Sequence, residues 1–425
     1  MNICIIGTGY VGLSTGIALC LKGYKVSFYD VDEGKIKSLK QGNAPFLEIG
    51  IEKSLRDCIK AGSASFTCDL SEALSKSEII FVCVDAPTRP EGTTDLTNLK
   101  KVCSELKARI RKDAVIAIKT TINPYDYAEL KRLLNRRAFH LAVTPEFLRE
   151  GSALNDSLTP YRIVVGTEDE VAREKLEKLY SNFDSTKLFT DPVSAIMIKY
   201  ASNSFLAVKV SYINEIANLC DRVGASIDDV AKGIGLDPRI GMEYLNAGIG
   251  FGGSCLPKDS KNLACFSKRA GAKTSIVERA FEVNRVQFLA TVNKLTETLI
   301  DIKGKNIGVF GISFKGGTDD IRESVSLKII SYLRKKGAVI KAHDYAACEN
   351  AKKILKGILI SDDAYKVAEG CDALIIATDW REYDELDWKV VKKVMKGKLI
   401  IDGRNILDAS KMKRIGFTYK GIGRR

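Results

Sequence analysis

Histidine is almost absent from this sequence, and its scarcity narrows the chemistry. The chain has 425 residues but only two histidines, His140 and His343, and we interpret both as structural. Many alcohol dehydrogenases use a histidine base, and zinc enzymes need closely spaced nitrogen or sulfur ligands. The composition argues against both mechanisms, so we expect no metal site.

Paired cysteines are absent as well. None of the eleven cysteines falls in a C-x-x-C pair, which argues against zinc-ribbon and thioredoxin-type sites. No charged leader precedes the strand-like "NICIIG", and no apolar run reaches the roughly 18 residues that a membrane span needs. We therefore expect a cytoplasmic protein with reduced thiols and no membrane partner. Six cysteines in apolar runs are expected to act as small hydrophobic residues: Cys4, Cys20, Cys83, Cys103, Cys220 and Cys371.

Blocks of basic residues are also missing, although the net charge is +13. Lysines alternate with acids in stretches such as "EDEVAREKLEKLY", which is typical of solvated helix faces. The charge therefore favours phosphate-bearing small molecules over nucleic acid.

What the chain does contain is a dinucleotide fingerprint near its start. "NICIIGTGYVGLSTGIALCLKGYKVSFYD" predicts a strand, a glycine turn, a helix and a second strand. Gly7, Gly9 and Gly12 form G-x-G-x-x-G, whose helix N-terminus faces a pyrophosphate. Asp30, about 20 residues further on, should accept the ribose hydroxyls and repel a 2′-phosphate, which favours NAD over NADP.

Further strands follow in "SEIIFVCVDAPT", "DAVIAIKTT" and "AFHLAVTPEFL". Ligands of doubly wound sheets bind beyond the carboxyl ends of the strands. Pro87, Thr88, Thr121 and Glu146 are therefore expected at the cofactor cleft.

A long helix is predicted from about Pro192 to Gly224. Lys199 and Asn203 lie four residues apart on one of its faces, in apolar company, and the helix has enough apolar surface to form a subunit interface. From residue 304 the strand and helix pattern resumes without a second fingerprint. Lys315 and Arg404 end strands there and are candidate phosphate contacts.

These segments predict an α/β protein with two Rossmann-like doubly wound domains joined by a central all-α domain. The expected limits are 1–191 for the NAD-binding domain, 192–302 for the helical domain and 303–425 for the second nucleotide-binding domain.

Cys255 in "GFGGSCLPKD" is the cysteine with a chemical setting. Gly252 and Gly253 allow close backbone approach, Pro257 is suited to begin a helix, and a helix N-terminus favours a thiolate. Beside an NAD site, a thiol can attack an aldehyde and form a thioester. A buried packing cysteine is the alternative.

Several motifs then carry a resemblance to a known family. "GTGYVG", "TPEFLREGSA", "KYASN", "DPRIG", "LNAGIGFGGSCLPKD", "FKGGTDDIRES" and "DGRN" occur in family order from residue 7 to residue 405. The chain resembles the nucleotide-sugar 6-dehydrogenases of the UDP-glucose/GDP-mannose dehydrogenase family, most closely those that act on UDP-glucose.

The resemblance implies two NAD-dependent oxidations of a sugar C6 alcohol to a carboxylate, with Cys255 as nucleophile. Lys199 and Asn203 would stabilise the C6 oxyanion, Asp259 and Thr121 would hold water, and Glu146 would serve in acid–base steps.

The implied ligand contacts extend over the whole chain. The expected NAD contacts are Gly7, Gly9, Tyr10, Val11, Gly12, Asp30, Lys35, Pro87, Thr88, Thr121, Glu150, Lys258 and Arg322. The expected substrate contacts are Glu146, Phe147, Leu148, Arg149, Glu150, Lys199, Asn203, Arg239, Asn246, Gly252, Phe314, Lys315 and Arg404. Arg239 would reach the sugar from a neighbouring subunit, which implies a homodimer or a higher homo-oligomer.

Three positions depart from the family pattern. Asp85 stands where glycine is common, Asn123 delays the usual proline to position 124, and Tyr161 replaces a common aspartate.

Three alternatives stay open. Ser254 argues against N-acetylated sugars, but GDP-mannose enzymes share "FGGSCLPKD". A catalytically silent nucleotide-sugar binder would be expected to lose Cys255 or Lys199. A single-step hydroxyacid dehydrogenase would need no thiol.

Overall fold

Two parallel sheets and a set of long helices make up the molecule. The computed structural model describes residues 1–134 and 140–424, so Ala138 and Phe139 of one predicted strand lie outside the described part. The chain divides into two compact units, residues 1–202 with 262–272 and residues 203–261 with 273–425. The expected three-domain division stays a prediction. No helix in the described ranges is long and apolar enough to cross a membrane.

The first unit is built on an eight-stranded sheet in the order β3-β2-β1-β4-β5-β6-β7-β8. All neighbours are parallel except β6 and β7. The strands are β1 Asn2–Ile6, β2 Lys25–Tyr29, β3 Ala64–Thr67, β4 Ile79–Val82, β5 Val115–Ile118, β6 His140–Val143, β7 Arg162–Gly166 and β8 Thr186–Thr190. The helices are α1 Tyr10–Leu21, α2 Glu33–Lys40, α3 Ile51–Lys60, α4 Leu70–Leu74, α5 Thr97–Arg109, α6 Pro124–Leu134, α7 Ala153–Leu158 and α8 Glu170–Tyr180. The order reverses between β1 and β4, which is where doubly wound sheets bind dinucleotides.

Four helices occupy the middle of the sequence: α9 Pro192–Val223, α10 Ile227–Gly235, α11 Leu256–Arg269 and α12 Ser275–Leu299. The predicted long helix is confirmed as α9. The boundary between the two units falls inside α9 and again inside α11.

The second unit contains a six-stranded parallel sheet in the order β11-β10-β9-β12-β13-β14. Its strands are β9 Asn306–Phe310, β10 Val339–His343, β11 Leu359–Ser361, β12 Ala373–Ile376, β13 Leu399–Asp402 and β14 Thr418–Gly421. Its remaining helices are α13 Val325–Lys335, α14 Cys348–Ile354, α15 Ala364–Ala368, α16 Glu382–Glu385, α17 Trp388–Val394 and α18 Ala409–Ile415. The predicted fold class, two doubly wound α/β sheets with a helical central region, is confirmed.

The sequence pattern left five strands unassigned: β3, β7, β8, β11 and β14. All but β7 are the outermost strands of their sheets. An outer strand is half solvated, so it lacks the continuous apolar run that marks a central parallel strand. β7 is apolar, but it follows a proline-containing turn that interrupts the pattern.

The six cysteines expected to be buried are confirmed as buried. Both histidines make structural contacts: His140 Nδ1 lies 2.8 Å from Asp169, and His343 Nδ1 lies 2.8 Å from the Tyr383 hydroxyl. Burial lowers the pKa of His343, so it is neutral at pH 7.

Asn123 explains the delayed proline of the sequence. Its side-chain oxygen accepts the N–H groups of Tyr125 and Asp126, at 2.9 and 3.0 Å, and Asp126 accepts the N–H of Asn123 at 3.2 Å. This reciprocal pattern is a capping box, and Pro124 takes the first helical position of α6. The departure therefore gives α6 a well-capped start.

We predict that Asn123→Ala lowers the apparent free energy of unfolding by about 1 kcal/mol, because two N–H groups of α6 lose their acceptor. Urea unfolding followed by circular dichroism measures the change. Asn123→Ser, which keeps a capping oxygen, is the control and should lose less. Equal losses in the two variants would contradict the capping role.

Candidate active site

The glycine turn of the fingerprint has the shape that a dinucleotide needs. Gly7 has φ +94°, and a Cβ there would lie 2.9 Å from the Cys83 carbonyl oxygen. A Cβ on Gly12 would lie 1.9 Å from the Gly7 carbonyl oxygen, so α1 packs directly on the turn. A Cβ on Gly9 would meet nothing within 4 Å, so its backbone is open to a ligand. The turn therefore fits a pyrophosphate at the N-terminus of α1.

Asp30, at the end of β2, is nearly buried and tied to the turn. Its Oδ2 accepts the Thr8 N–H at 2.9 Å and the Thr8 hydroxyl at 2.7 Å, and its Oδ1 accepts the Asp32 N–H at 3.1 Å. Burial alone would raise the pKa of Asp30, but these bonds and the Lys35 charge outweigh it, so its pKa is lowered. The carboxylate is ionised at neutral pH, a state that would disfavour a 2′-phosphate beside it.

The other expected cofactor contacts of the first unit lie on the loops around this turn. Tyr10 begins α1 and stacks on Phe46 with ring centroids 3.8 Å apart. The Pro87 carbonyl accepts the Asp95 N–H at 2.7 Å, and Thr88 pairs with Thr94 in an isolated β-bridge. Val11 and Lys35 are partly buried in α1 and α2, and Thr121 is partly buried before Asn123.

A buried ion pair joins two of the expected catalytic residues. Lys199 Nζ of α9 lies 2.7 Å from Glu146 Oε1 and donates to the Glu146 carbonyl at 2.6 Å. The side chains are 3% and 6% exposed. Burial alone would raise the pKa of Glu146, but Lys199, the Leu148 N–H and the Lys119 charge outweigh it and lower that pKa. Glu146 is therefore a carboxylate at neutral pH.

Lys119 is a residue that the sequence analysis missed. It directly follows β5, its Nζ donates to the Thr144 carbonyl at 3.3 Å, and burial lowers its pKa. The charges of Cys83, Glu146 and Lys199 also act on it. A lysine at the carboxyl end of a central strand is the sequence signal that could have identified it.

Phe147 and Arg149 begin the expected sugar-binding loop. The guanidinium of Arg162 lies 3.9 Å from the centre of the Phe147 ring, and Lys199 Nζ lies 5.5 Å from it. Asp156 accepts the Arg149 backbone N–H at 2.9 Å and its guanidinium at 3.0 and 2.7 Å. The loop is therefore fixed by charge-assisted bonds. Leu148 and Glu150 are partly buried within it.

The departures Asp85 and Tyr161 are solvent-exposed. Tyr161 leaves Arg162 without an adjacent acid, and Arg162 instead donates to the Ser202 hydroxyl at 3.0 Å.

In the second unit, Asn203 and Asp259 form a buried pair. Asn203 Nδ2 donates to Asp259 Oδ2 at 2.6 Å, and the Asp259 side chain is 1% exposed. Asp259 Oδ1 makes no hydrogen bond within residues 1–134 and 140–424, and Lys258 Nζ lies 3.7 Å from it. A buried carboxylate oxygen in this state can accept a hydrogen bond from water or substrate.

Cys255 directly precedes α11 and is partly exposed. Its carbonyl accepts the Asp259 N–H at 2.9 Å, the first hydrogen bond of the helix, and Ser254 Oγ lies 3.5 Å from its sulfur. The helix start predicted at Pro257 is confirmed within one residue. The thiol therefore lies at the N-terminus of a helix of 14 residues.

Gly252 and Gly253 are required by protein contacts. A Cβ on Gly252 would lie 2.3 Å from the Glu323 carbonyl oxygen, and one on Gly253, at φ +83°, would lie 2.6 Å from the Phe314 ring. The backbone at these two glycines was expected to approach another group closely. The structure shows that the group is the Glu323 carbonyl at Gly252 and the Phe314 ring at Gly253.

The loop before Cys255 is held by amide side chains that the sequence analysis did not identify. Asn284 accepts the Phe251 N–H at 2.8 Å and donates to the Phe251 carbonyl at 2.9 Å. Asn214 accepts the Gly248 N–H at 2.7 Å, and Gln287 donates to the Gly248 carbonyl at 2.9 Å. The sequence signal that could have identified these residues is the occurrence of amide side chains within the apolar stretches of α9 and α12.

Arg404 joins this loop to the second sheet. Its Nε, Nη1 and Nη2 donate to the carbonyls of Ala377, Gly250 and Phe314 at 3.0, 3.0 and 2.9 Å. Burial lowers its pKa, and two of its five N–H groups remain for a phosphate. It lines a cavity of about 450 Å³ with Asn246, Gly248 and Asp379.

The remaining expected contacts of the second unit lie nearby or on the surface. Lys315 is partly buried beside Phe314. Arg322 is held by Asp320, with Nε–Oδ2 at 2.8 Å. Arg239 is 87% exposed and paired with Asp237 of its own loop, and within residues 1–134 and 140–424 no polar contact joins it to another expected site residue.

Comparison with known proteins gives a consistent family match along the chain. Models of the UDP-glucose/GDP-mannose dehydrogenase family match residues 1–184 (NAD binding domain), 193–286 (central domain) and 308–409 (UDP binding domain).

Individual relatives cover the full length. A UDP-glucose 6-dehydrogenase of Rickettsia bellii is 40% identical over 431 residues, covering 100% of this chain and 99% of its own. A solved UDP-glucose dehydrogenase from Pyrobaculum islandicum is 34% identical with a TM-score of 0.93, covering 100% and 98% of the two chains. A UDP-D-ManNAc dehydrogenase structure from Pyrococcus horikoshii is 29% identical with a TM-score of 0.88, covering 100% and 99%.

We predict that Lys199→Met destabilises the protein by about 3–5 kcal/mol at pH 7, because Glu146 is left as a buried, unpaired charge. The lowered pKa of Glu146 means that the pair contributes stability above the ordinary carboxyl pKa of about 4.3. That contribution is lost as the pH falls through the lowered value, and the buried Glu146 of Lys199→Met can be protonated at pH 4, so the loss in the variant should be smaller at pH 4 than at pH 7. Urea unfolding at both pH values measures it.

Lys131→Met, which breaks an exposed pair with Glu168, is the control and should change stability little at either pH. A loss in Lys199→Met that is the same at pH 4 and pH 7 would contradict the ion-pair argument.

Proposed function

Because the chain belongs to the UDP-glucose/GDP-mannose dehydrogenase family, we propose that it oxidises C6 of UDP-glucose twice with NAD and releases UDP-glucuronate. The setting of Cys255 carries this proposal. The thiol lies at the N-terminus of α11, after a loop held by buried amides and before a carboxylate with an available oxygen. A single-step dehydrogenase needs none of these features.

The first oxidation converts the C6 alcohol to an aldehyde, with the C6 hydride leaving to the coenzyme and the hydroxyl proton leaving to water. Lys199 and Asn203, one turn apart on α9, donate to the C6 oxygen as negative charge develops on it. Each already holds a carboxylate, Glu146 or Asp259, so their donors have fixed directions. When bound, NAD accepts the hydride in each of the two oxidations.

The second oxidation passes through the thiol. The Cys255 thiolate adds to the aldehyde carbon to form a thiohemiacetal, and loss of the C6 hydride leaves a thioester. Water then attacks the thioester carbon, the C–S bond breaks, and the carboxylate leaves. Asp259 Oδ1 and Thr121 orient this water.

Glu146 acts as the base in thioester hydrolysis. Its lowered pKa keeps it ionised at neutral pH, so its carboxylate has a free site for a proton, although a lowered pKa also makes it a weaker base. The proton that it receives from water can pass to the departing thiolate.

The 450 Å³ cavity beside Arg404 supports a nucleotide subsite in the second unit. Lys315 and the two remaining N–H groups of Arg404 are suited to the diphosphate. Asn246 and Gly252 line the approach to the sugar. The higher identity to the UDP-glucose dehydrogenase structure, 34% against 29% for the UDP-D-ManNAc enzyme, favours glucose as the sugar. GDP-mannose stays the second candidate.

A homodimer completes the proposal. α9 exposes a row of apolar side chains, including Val193, Phe205, Tyr212, Leu219 and Val223, with Phe205 63% exposed. An exposed apolar stripe of this length is typical of a subunit interface. In such a dimer the exposed Arg239 could reach the sugar of a second copy. We also propose a cytoplasmic location, because free buried thiols such as Cys4 and Cys103 suit a reducing compartment.

We predict that UDP-glucose yields two NADH per sugar, and that Cys255→Ala lowers UDP-glucuronate formation by about 10⁴-fold or more. NADH absorbance together with chromatography of the sugar nucleotides measures both. Cys265→Ala, a partly buried thiol of the same helix, is the control and should keep activity. Unchanged acid formation in Cys255→Ala would exclude the mechanism. Parallel assays with GDP-mannose, UDP-N-acetyl sugars and NADP test substrate and cofactor choice.

We also predict that Phe205→Lys with Tyr212→Lys raises the dimer dissociation constant by about 100-fold or more, because two charges enter an apolar contact. Sedimentation velocity measures the association. Ile354→Lys, an exposed apolar residue of α14, should leave it unchanged. A monomeric wild-type chain at micromolar concentration would refute the dimer.

A further inference from the structure

Glu48 is a buried carboxylate that contacts the sugar-binding loop from a distant part of the sequence. Its side chain lies in the first unit and is 5% exposed. Its Oε2 accepts the Gly151 N–H at 2.8 Å, and its Oε1 accepts the Ala153 N–H at 2.9 Å. One carboxylate therefore fixes two backbone positions more than 100 residues along the chain.

Local geometry makes these two N–H groups depend on Glu48. Gly151 has φ +78°, which turns the chain before α7 and directs both groups to the same side. Ala153 begins α7, where N–H groups lack partners within the helix. Ser152, at the N-cap, makes no capping bond with its side chain. Glu48 thus provides the cap that the local sequence does not.

Glu48 is itself held in place by its neighbours. Its carbonyl accepts the Ile51 N–H at 3.3 Å at the start of α3. Phe46, two residues earlier, stacks on Tyr10 next to the dinucleotide turn. The segment 46–51 is therefore a fixed support.

The loop that Glu48 holds carries the residues assigned to the sugar. Asp156 fixes the loop at Arg149, and Glu48 fixes it at Gly151 and Ala153. Glu150 lies between these two attachments. Because a misplacement of about 1 Å can cost about 100-fold in rate, the second attachment matters for catalysis.

We propose that Glu48 is a positioning residue that holds the 147–153 loop in its substrate-binding conformation. It touches no reacting atom and acts through the backbone of Gly151 and Ala153. The identity of the ligand rests on the proposed function, but the role of Glu48 in the loop does not.

Glu48→Gln is the sharpest test because it keeps the shape of the side chain. The amide accepts one N–H but directs its own NH₂ group at the other. We expect kcat/KM for UDP-glucose to fall about 10- to 100-fold. NAD affinity, measured without sugar, should stay within about twofold. Glu48→Asp keeps the charge, but its side chain is one methylene shorter. Its kcat/KM should therefore lie between that of Glu48→Gln and that of the wild type.

Glu78→Gln is the matched control. Glu78 also accepts a distant backbone N–H, that of Asn2 at 3.0 Å, but at the amino end of the sheet. It should keep kcat/KM within about twofold. Equal kcat/KM in Glu48→Gln and Glu78→Gln would overturn the positioning role, even if both variants lose thermal stability.

Hydrogen exchange separates this proposal from the proposed function. The Gly151 and Ala153 amides should exchange at least about tenfold faster in Glu48→Gln than in the wild type, whatever the substrate. Unchanged protection overturns the role of Glu48 in the loop. A wild-type enzyme that binds NAD but leaves UDP-glucose unoxidised refutes the proposed function alone.

Discussion

The buried pair of Lys199 and Glu146 is the constraint on which the order of the loop after β6 depends in the first unit. Removing both charges from water is costly, and the cost is offset only by close mutual contact and further hydrogen bonds. Leu148 and the Glu146 carbonyl supply those bonds, and both belong to the loop that follows β6. The ion pair therefore also fixes the position at which the loop after β6 leaves the sheet. The lowered pKa of Glu146 shows how strongly its contact with Lys199 favours the carboxylate over the acid.

The second unit achieves order by other means. Around Cys255 the backbone bends through glycines whose Cβ atoms would collide with Phe314 and Glu323, so side chains cannot hold it. Amides from α9 and α12 and the guanidinium of Arg404 bind the peptide groups instead. The planar fork of Arg404 reaches three carbonyls through three different nitrogens, whereas a lysine would have to reach all three from one nitrogen. The loop that precedes Cys255 is thus held as firmly as a regular secondary structure would hold it.

Local patterns in the sequence predicted those features of the structure that are determined by residues close together in the chain. The fingerprint glycines, the central strands, the long helix and the buried cysteines follow from spacing and apolar runs, and the catalytic assignments came from a family resemblance. The outer strands of each sheet were not predicted, because half of each strand is solvated and its apolar pattern is weak. The sequence analysis did not identify three residues that hold distant backbone groups: Asn284, Gln287 and Glu48. Each bonds to a backbone group more than 30 residues away, and no local sequence pattern records such a contact. Asn123 was a departure in the sequence that proved to be an ordinary helix cap.

Asp30 illustrates how coenzyme preference becomes embedded in a fold. Its carboxylate accepts the Thr8 N–H and the Thr8 hydroxyl inside the protein, and it is also the expected partner of the ribose. Replacing Asp30 with a small or basic residue, in order to admit a phosphorylated ribose, would remove the acceptor of the Thr8 N–H and hydroxyl. Two buried donors beside the glycine turn would then lack a hydrogen bond. Redesign at this position therefore has to replace Thr8 together with Asp30, and cofactor choice behaves as a property of the pair.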